Sequence, residues 1–160
     1  MIKAKWLFLL LFLPLILGCV NNHIEQKRRV AVTILPQKYL LDRIVGDSLD
    51  VVCVIPNGGN PEEYAATPQL MKDIATSSLY FKIGGLGFEK TTLPSILQNS
   101  SHIEVVTLSE DIEFITSLCS HEGQEHSHYD PHYWTSPKMV KIMATNMFNS
   151  IKVLDRKSVV

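Results

Sequence analysis

The chain has 160 residues, of which 46% are hydrophobic and 19% are charged, and this length suits one packed domain but hardly two. The formal net charge is −1, and the basic residues cluster only at Lys27, Arg28 and Arg29. Because a phosphate backbone is bound by a concentrated positive surface, this composition argues against a nucleic acid as the partner.

The first residues have the layout of a secretory signal peptide. Lys3 and Lys5 precede an apolar run over residues 6–17, and the small residue Gly18 follows it. An apolar run of about a dozen residues falls short of the roughly 20 that a transmembrane helix needs. We therefore predict that residues 1–18 direct export and are removed, and that they do not form a permanent membrane span.

Cys19 stands directly after this segment, and the sequence Ile-Leu-Gly-Cys at residues 16–19 resembles the lipobox of bacterial lipoproteins. That resemblance implies that the sulfur of Cys19 carries a lipid. Residues 19–29 would then tether the protein to the outer face of a bacterial membrane, in the periplasm or at the cell surface. More than one fatty chain makes such an anchor stable. The alternative is a signal peptide that ends in Cys by chance.

After the tether, apolar β-rich runs alternate with stretches of helical spacing. Strands are predicted at residues 30–35, 49–55, 79–83 and 103–108, and helices at residues 39–45, 67–75 and 93–97. Unbroken apolar strands that alternate with helices indicate a parallel sheet covered on both faces. The predicted fold class is therefore α/β, with a four-stranded parallel sheet flanked by helices. Gly84, Gly85 and Gly87 are interpreted as a flexible turn after the third strand.

A long helix is predicted over residues 137–154, where apolar residues recur at helical spacing without an intervening Gly or Pro. Two cysteines remain beyond Cys19. Cys53 lies within the second apolar run, where a free Cys behaves as a small hydrophobe, so we interpret it as part of the core. Cys119 stays open between a free thiol and a disulfide, since an exported protein permits either state.

The segment before the long helix is rich in metal-ligating side chains. His121, His126 and His128 lie there with several acidic residues, and imidazole and carboxylate are common ligands of first-row divalent ions. A dense His-rich tract in an exported loop indicates metal binding. We predict that the loop over residues 121–128 collects metal at low affinity, and the alternative is a solvated polar loop without a ligand.

His132 differs from these histidines because Pro131 and Trp134 frame it. Pro131 fixes its own φ and favours an extended Asp130, while Trp134 offers a large apolar anchor. A rigid His suits a selective metal site, although a His that bonds a backbone carbonyl is equally consistent with the pattern. Asp130 either accepts a hydrogen bond from the imidazole or forms a simple turn.

Residues 130–137, Asp-Pro-His-Tyr-Trp-Thr-Ser-Pro, resemble the Asp-Pro-His-x-Trp-x-x-Pro motif of the metal-receiving substrate-binding proteins of bacterial zinc- or manganese-type ABC importers. Residues 56–68 are similar to that family's Pro-x-Gly-x-x-Pro-His-x-Tyr/Phe-Glu-Pro-Thr-Pro segment. Residues 84–89 match its Gly-Leu-Gly-x-Glu turn. A His-rich acidic loop before the Asp-Pro-His motif is also a feature of the zinc-handling members. The resemblance extends over residues 30–154.

In that family two α/β lobes bind the metal between them, with ligands from each lobe. The resemblance implies that His132 is one ligand of the first lobe. The other first-lobe ligand is a His in the family, and Glu62 occupies its position here, or Glu63 if the register shifts by one. A carboxylate in place of an imidazole favours harder ions such as Mn²⁺. Ala65 and Ala66 also depart from the Glu-Pro of the family pattern.

Family members are roughly twice as long as this chain. The resemblance therefore implies that residues 30–136 form the first lobe and that residues 137–154 begin the helix between the lobes. We expect the second lobe to be absent, so that the sequence represents a truncated product or a partial gene. Arg156 stands where the family usually has Pro.

The resemblance implies a function without catalysis. A monomeric, lipid-anchored protein would capture Zn²⁺, or alternatively Mn²⁺, outside the cytoplasmic membrane and deliver it to an ABC-transporter permease. A surface adhesion or metal-buffering lipoprotein that uses only the His-rich loop is the alternative. A zinc hydrolase is a weaker alternative, because the sequence contains no His-Glu-x-x-His helix and no nucleophile elbow.

Overall fold

The computed structural model describes residues 27–112, 116–117 and 128–157. Within them, four parallel strands form a sheet in the order β2-β1-β3-β4. The strands are β1 Arg29–Val32, β2 Asp50–Cys53, β3 Leu79–Lys82 and β4 Glu104–Thr107. The central strand β1 pairs its Val30 with Val51 of β2 and with Leu79 of β3. The predicted α/β class and the four-stranded parallel sheet are confirmed.

The helices of the described residues are α1 Leu35–Val45, α2 Pro68–Ala75, α3 Gly87–Thr91, α4 Leu93–Leu97 and α5 Pro137–Lys157. The predicted long helix is α5, which has 21 residues. A short antiparallel ribbon of β5 Thr116–Ser117 and β6 His128–Tyr129 precedes it, followed by a 3-10 turn at Tyr133–Thr135. Neither the ribbon nor α3 is predicted from the sequence.

Several sequence predictions lie outside the described residues. They concern the signal peptide at residues 1–18, Cys19 and most of the tether, Cys119, and His121 and His126 of the His-rich loop. In the part of the chain that the structure describes, no helix has both the length and the apolarity that crossing a membrane requires.

The first helix begins earlier than the sequence pattern predicts. The sequence favours a strand through residue 35, but β1 ends at Val32 and Leu35 already belongs to α1. Pro36 lies in the first helical turn, where its missing N–H leaves no intrahelical bond unmade. The side-chain oxygen of Gln37 accepts a hydrogen bond of 2.9 Å from the N–H of Ile34, which satisfies one donor at this helix end.

The second helix begins as the sequence predicts. Thr67 precedes α2, and its hydroxyl oxygen accepts a hydrogen bond of 3.2 Å from the N–H of Leu70. Pro68 occupies the first turn, as is common at helix starts. Thr67 therefore marks the end of the long segment after β2 and the start of the helix that leads back to the sheet.

The strand order creates a crevice between β1 and β3. The connection after β1 leads through α1 to β2 on one side, whereas the connection after β3 leads to β4 on the other side. In open parallel sheets, ligands bind beyond the carboxyl ends of the strands where such connections diverge. The segments after β1 and β3 are therefore the foundation of any ligand site in this lobe.

The core covers both faces of the sheet. Val30, Ala31 and Val32 are consecutive in β1 and each is fully buried, and successive strand residues point to opposite faces. Helix α5 contributes the buried Met143 and Met147 and contacts α1. Burial of each large apolar side chain stabilises the fold by roughly 1.5–3 kcal/mol. The packed core therefore holds in place the strand ends from which the loops at the carboxyl end of the sheet begin.

Candidate metal site

The turn after β3 is built around a buried carboxylate. We call residues 83–87 the β3 turn. Oε1 of Glu89 accepts a hydrogen bond of 2.6 Å from the N–H of Ile83, and Oε2 accepts from the N–H groups of Gly84 and Gly85 at 2.7 and 3.2 Å. The side chain of Glu89 is only 7% exposed. Three backbone donors therefore replace water around this carboxylate.

Glycine is required inside this turn. Gly84 has a φ of 95°, which a residue with a Cβ rarely adopts. A Cβ there would also lie 2.5 Å from the hydroxyl oxygen of Ser109 and 2.6 Å from the methyl of Thr107. The sequence predicts a flexible turn over the three glycines, and the structure places Gly87 in α3. Glu89 holds the turn by accepting hydrogen bonds from the N–H groups of Gly84 and Gly85, while the flexibility of the turn stays a prediction.

Glu89 also connects the turn to the neighbouring central strand. The hydroxyl of Thr33, directly after β1, donates a hydrogen bond of 2.5 Å to Oε1 of Glu89. The same hydroxyl lies 3.1 Å from the hydroxyl of Tyr80, where either group can donate. Burial raises the pKa of Tyr80, and the nearby charge of Glu89 raises it further. This network therefore bridges β1 and β3 at the crevice between them.

Glu62 is held against the far end of the same turn. Its Oε2 accepts a hydrogen bond of 3.0 Å from the N–H of Gly87, and the N–H of Phe88 donates to the carbonyl of Pro61 at 2.9 Å. The N–H of Glu62 donates to the side-chain oxygen of Asn60 at 3.1 Å. Glu62 is exposed in spite of these bonds, so its carboxylate is oriented and still open to solvent.

Gly87 permits this close approach. A Cβ on Gly87 would lie 2.8 Å from both Cα and Oε2 of Glu62, and closer still to its carbonyl oxygen. The neighbouring Glu63 is exposed, and among the described residues its side chain has no comparable bond to the β3 turn. The geometry therefore favours Glu62 over Glu63 as the residue that the turn orients.

His132 is oriented by Asp130. Oδ1 of Asp130 accepts a hydrogen bond of 2.9 Å from the backbone N–H of His132 and lies 2.6 Å from Nδ1 of its ring. These two bonds, the backbone one first, hold the pKa of the Asp130 carboxyl below its usual range. An ionised carboxylate only accepts, so Nδ1 carries a proton, and in the neutral ring Nε2 then keeps its lone pair. That tautomer presents Nε2 to an ion.

Tyr133 attaches this segment to the β3 turn. Its hydroxyl donates a hydrogen bond of 2.7 Å to the carbonyl of Ile83, and its side chain is buried. Burial raises the pKa of Tyr133, and the charge of Glu89 raises it further. The ring of Trp134 lies 4.9 Å from the ring of His132 and restricts it from the side.

The β3 turn thus has Glu62 bonded at Gly87 and the residue after His132 bonded at Ile83. His128, at the end of the predicted low-affinity loop, begins β6, and its partner across the ribbon is Ser117. Among the described residues, no group of three or more His, Cys, Asp or Glu side chains is gathered as for a complete metal site.

The residues that build this support have no predicted part in the site. The sequence motifs contain Glu89 and Tyr133 without indicating a role for them, and they indicate only a turn at Gly87. Their contacts join residues far apart in the chain, such as Tyr133 and Ile83, which are separated by 50 positions. An acidic residue shortly after a glycine cluster was the one local signal that could have revealed Glu89.

Comparison with known proteins identifies the family. A model of the family described as ZnuA, zinc-uptake complex component A, periplasmic, matches residues 30–158. The chain belongs to this family. The matched range contains Glu62, Glu89 and His132, so the whole support described above lies within the family's characteristic region. Membership confirms the resemblance predicted from the sequence motifs.

Individual relatives agree with this membership. A putative metal-binding protein of Chlamydia trachomatis is 33% identical over 139 residues, which cover 86% of this chain and 47% of the relative. The manganese ABC transporter substrate-binding lipoprotein PsaA of Streptococcus anginosus is 26% identical over 166 positions, with 96% of this chain and 52% of the relative covered. The chain therefore spans about half the length of the curated relatives it matches.

A solved structure of the same family has the same fold. The crystal structure of ZnuA superposes on this chain with a TM-score of 0.70 at 28% identity, covering 82% of this chain and 48% of ZnuA. This chain therefore has the same fold as the part of ZnuA that it superposes on. The family description refers to zinc uptake, and the S. anginosus relative is named as a substrate-binding lipoprotein of a manganese ABC transporter.

Proposed function

We propose that this protein captures a divalent transition metal outside the cytoplasmic membrane and delivers it to the permease of an ABC importer. Zn²⁺ is favoured and Mn²⁺ is the alternative. The observation that carries the proposal is the attachment of the Glu62 and His132 segments to one turn at the carboxyl end of β3. Family membership supports it, as does the name of the S. anginosus relative. Capture and delivery need no chemical reaction, so we propose no enzymatic activity.

Each proposed ligand has one polar atom in a hydrogen bond to the protein and a second atom available to a metal ion. Asp130 holds the proton on Nδ1 of His132, which supports Nε2 as the nitrogen ligand. Gly87 bonds Oε2 of Glu62, which supports Oε1 as the oxygen ligand. Tight zinc sites generally have four ligands. In the two-lobe architecture that the family resemblance implies, the remaining ligands come from the second lobe, and this chain supplies the first-lobe half of the site.

The exposure of these side chains suits a cargo that must enter and leave. The side chain of His132 is 61% exposed and that of Asp130 is 69% exposed. An ion bound there would sit at the rim of the lobe and would need no opening of the core. Closure by a second lobe would then exclude water, and docking to the permease would reverse it.

The choice of ion is expected to depend on Glu62. An imidazole pair is well suited to Zn²⁺, whereas a carboxylate oxygen shifts a site toward harder ions. The family name refers to zinc uptake, and the name of the S. anginosus relative refers to manganese. We favour Zn²⁺ because His132 and the predicted His-rich loop supply nitrogen ligands.

The membrane anchor and the His-rich loop belong to the same proposal. We propose that Cys19 carries the lipid and that His121, His126 and His128 collect metal at low affinity before it reaches His132. His128 lies only four positions before His132 in the chain, which supports this order. Metabolic labelling with a fatty acid analogue should mark the wild-type protein and not Cys19→Ala. Equal labelling of both would remove the anchor.

Metal titration tests the site. The chain is prepared with His121, His126 and His128 replaced by Ala, so that Zn²⁺ bound in competition with a chromophoric chelator reports on the remaining site. His132→Ala should abolish that binding, and Glu62→Ala should weaken it by at least about tenfold and change the preference between Zn²⁺ and Mn²⁺. Glu63→Ala is the matched control and should bind as the parent does. Unchanged binding in both His132→Ala and Glu62→Ala would contradict the proposed site.

A further inference from the structure

The buried carboxylate of Glu89 lies beneath the candidate metal site and is not one of its proposed ligands. It accepts hydrogen bonds from three consecutive N–H groups of the β3 turn and from the hydroxyl of Thr33. Each of its oxygens has at least two donors, so both are fully engaged within the protein. Glu89 is only 7% exposed, and these four donors take the place of the water that a buried carboxylate would otherwise need.

The two ends of the turn that Glu89 holds are the points at which the site is attached. At one end, the carbonyl of Ile83 accepts the bond from Tyr133, the residue after His132. At the other end, the N–H of Gly87 donates to Glu62. The N–H of Ile83 is itself bonded to Glu89, so a single peptide segment connects the carboxylate with both attachments.

We propose that Glu89 is a positioning residue that sets the separation of Glu62 and His132 by fixing the conformation of the β3 turn. This inference rests on the proposed metal function, and it adds a residue that is almost fully buried and is not a proposed ligand. It also gives Thr33 a part, because the hydroxyl of Thr33 ties the carboxylate to the end of β1.

Replacing Glu89 by its neutral isostere Gln shows how the carboxylate positions the β3 turn. Glu89→Gln has nearly the same shape, but its amide nitrogen cannot accept a hydrogen bond. One side of the carboxamide would therefore face either Ile83 and Thr33 or Gly84 and Gly85 without accepting their hydrogens. The turn must then reorganise, and the bonds that orient Glu62 and Tyr133 move with it.

The test compares metal affinity with fold stability in the background that carries Ala at positions 121, 126 and 128. Glu89→Gln should reduce Zn²⁺ affinity by about 10- to 100-fold, the range typical for partners that orient ligands. It should also alter the visible absorption spectrum of the Co²⁺-loaded protein, which depends on ligand geometry. Circular dichroism at the same temperature should show that the protein remains folded.

Matched controls separate positioning from general destabilisation. Ile74 is fully buried on α2 and makes none of the bonds of the β3 turn. Ile74→Val should lower thermal stability by a small amount and Ile74→Ala by a larger one. Both variants should leave the Zn²⁺ affinity and the Co²⁺ spectrum unchanged. If Glu89→Gln does not fold, Tyr133→Phe removes the bond to Ile83 from the other side and should shift the same two readouts.

The outcomes are distinct. If Glu89→Gln and Tyr133→Phe keep parental affinity and spectrum while His132→Ala abolishes binding, the positioning role is overturned and the proposed function stands. If His132→Ala and Glu62→Ala bind as the parent does, the metal site itself fails and the inference falls with it. Loss of affinity in Glu89→Gln without a comparable loss in the Ile74 variants supports the proposal.

Discussion

Replacing Gly87 with Ala is expected to displace Glu62 and to weaken metal binding more than it weakens the fold. A Cβ on Gly87 would lie 2.8 Å from Cα and Oε2 of Glu62 and closer still to the Glu62 carbonyl oxygen. Two of these three atoms belong to the backbone, so a side-chain rotation cannot relieve the contact. The chain around Glu62 must move, and the hydrogen bonds of Gly87 to Glu62 and of Phe88 to Pro61 lengthen.

The size of the effect follows from opposing contributions. Overpacking lowers the free energy of unfolding by about 1–3 kcal/mol, while Ala in place of Gly at the start of α3 raises it by about 0.5–1 kcal/mol. We expect a net loss of about 1–2 kcal/mol in the free energy of unfolding and a decrease in Tm on the order of a few degrees. Zn²⁺ affinity should fall by at least about tenfold, since a hydrogen bond to a charged group contributes about 1.5–3 kcal/mol.

Gly46 offers a matched control for this substitution. It has a φ of 55°, with nothing within 4 Å of an added Cβ, and it ends α1 outside the β3 turn. Gly46→Ala should lose a similar stability, about 1–2 kcal/mol, through backbone strain alone. Thermal unfolding and chelator-competition titration of both variants give the comparison. Equal Zn²⁺ affinity in Gly87→Ala and Gly46→Ala would refute the link between the Gly87 contact and the site.

Three further predictions follow from single residues. Asp130→Ala should lower Zn²⁺ affinity by about 10- to 100-fold in titration. Asp130→Asn should lower it by less, because the amide oxygen of Asn still accepts a hydrogen bond from Nδ1 of His132. Equal losses in the two variants would contradict the role of the charge. Thr67→Ala should lower the free energy of unfolding by about 1 kcal/mol in denaturant titration, because it removes the cap of α2, with Thr145→Ala as an exposed control. Alkylation of the free thiol of Cys53 should be slow in the native protein and fast after denaturation, because burial raises its pKa; fast labelling of the folded protein would contradict its packing against the core.

The sheet was predictable because its strands are short apolar runs. Val30, Val52 and Phe81 belong to runs that read as buried strands without reference to the rest of the chain, and each run contains an observed strand. The end of β1 was placed too late because Ile34 and Leu35 continue its apolar character. There, Pro36 and the cap from Gln37 outweigh the apolar pattern and start α1.

Other elements gave no usable local signal. The three glycines predict a turn, but they do not reveal that Glu89 accepts the hydrogen bonds of its N–H groups or that Gly87 begins α3. The ribbon of β5 and β6 has two residues in each strand, which is too short for any periodicity. Cys53 was placed in the core, and it packs against the core while only partly buried.

The candidate site was partly visible in the sequence. His132 and Glu62 could be named from the sequence because the motifs around them resemble those of the family. Their common attachment to the β3 turn could not be predicted, since it depends on hydrogen bonds across 25 positions for Glu62 and 50 positions for Tyr133. Such contacts exist only once the sheet has brought the carboxyl ends of its strands together.

The crystal structure of the Zn²⁺-loaded protein, with the ion located by its anomalous scattering, tests the central claim most directly. We expect one ion at about 2.0–2.2 Å from Nε2 of His132 and from a carboxylate oxygen of Glu62. The proton on Nδ1 should remain directed at Asp130, and Gly87 should still bond the other oxygen of Glu62. An ion bound through Nδ1 of His132, or one that contacts His132 while Glu62 lies beyond ligand distance, would contradict the shared site.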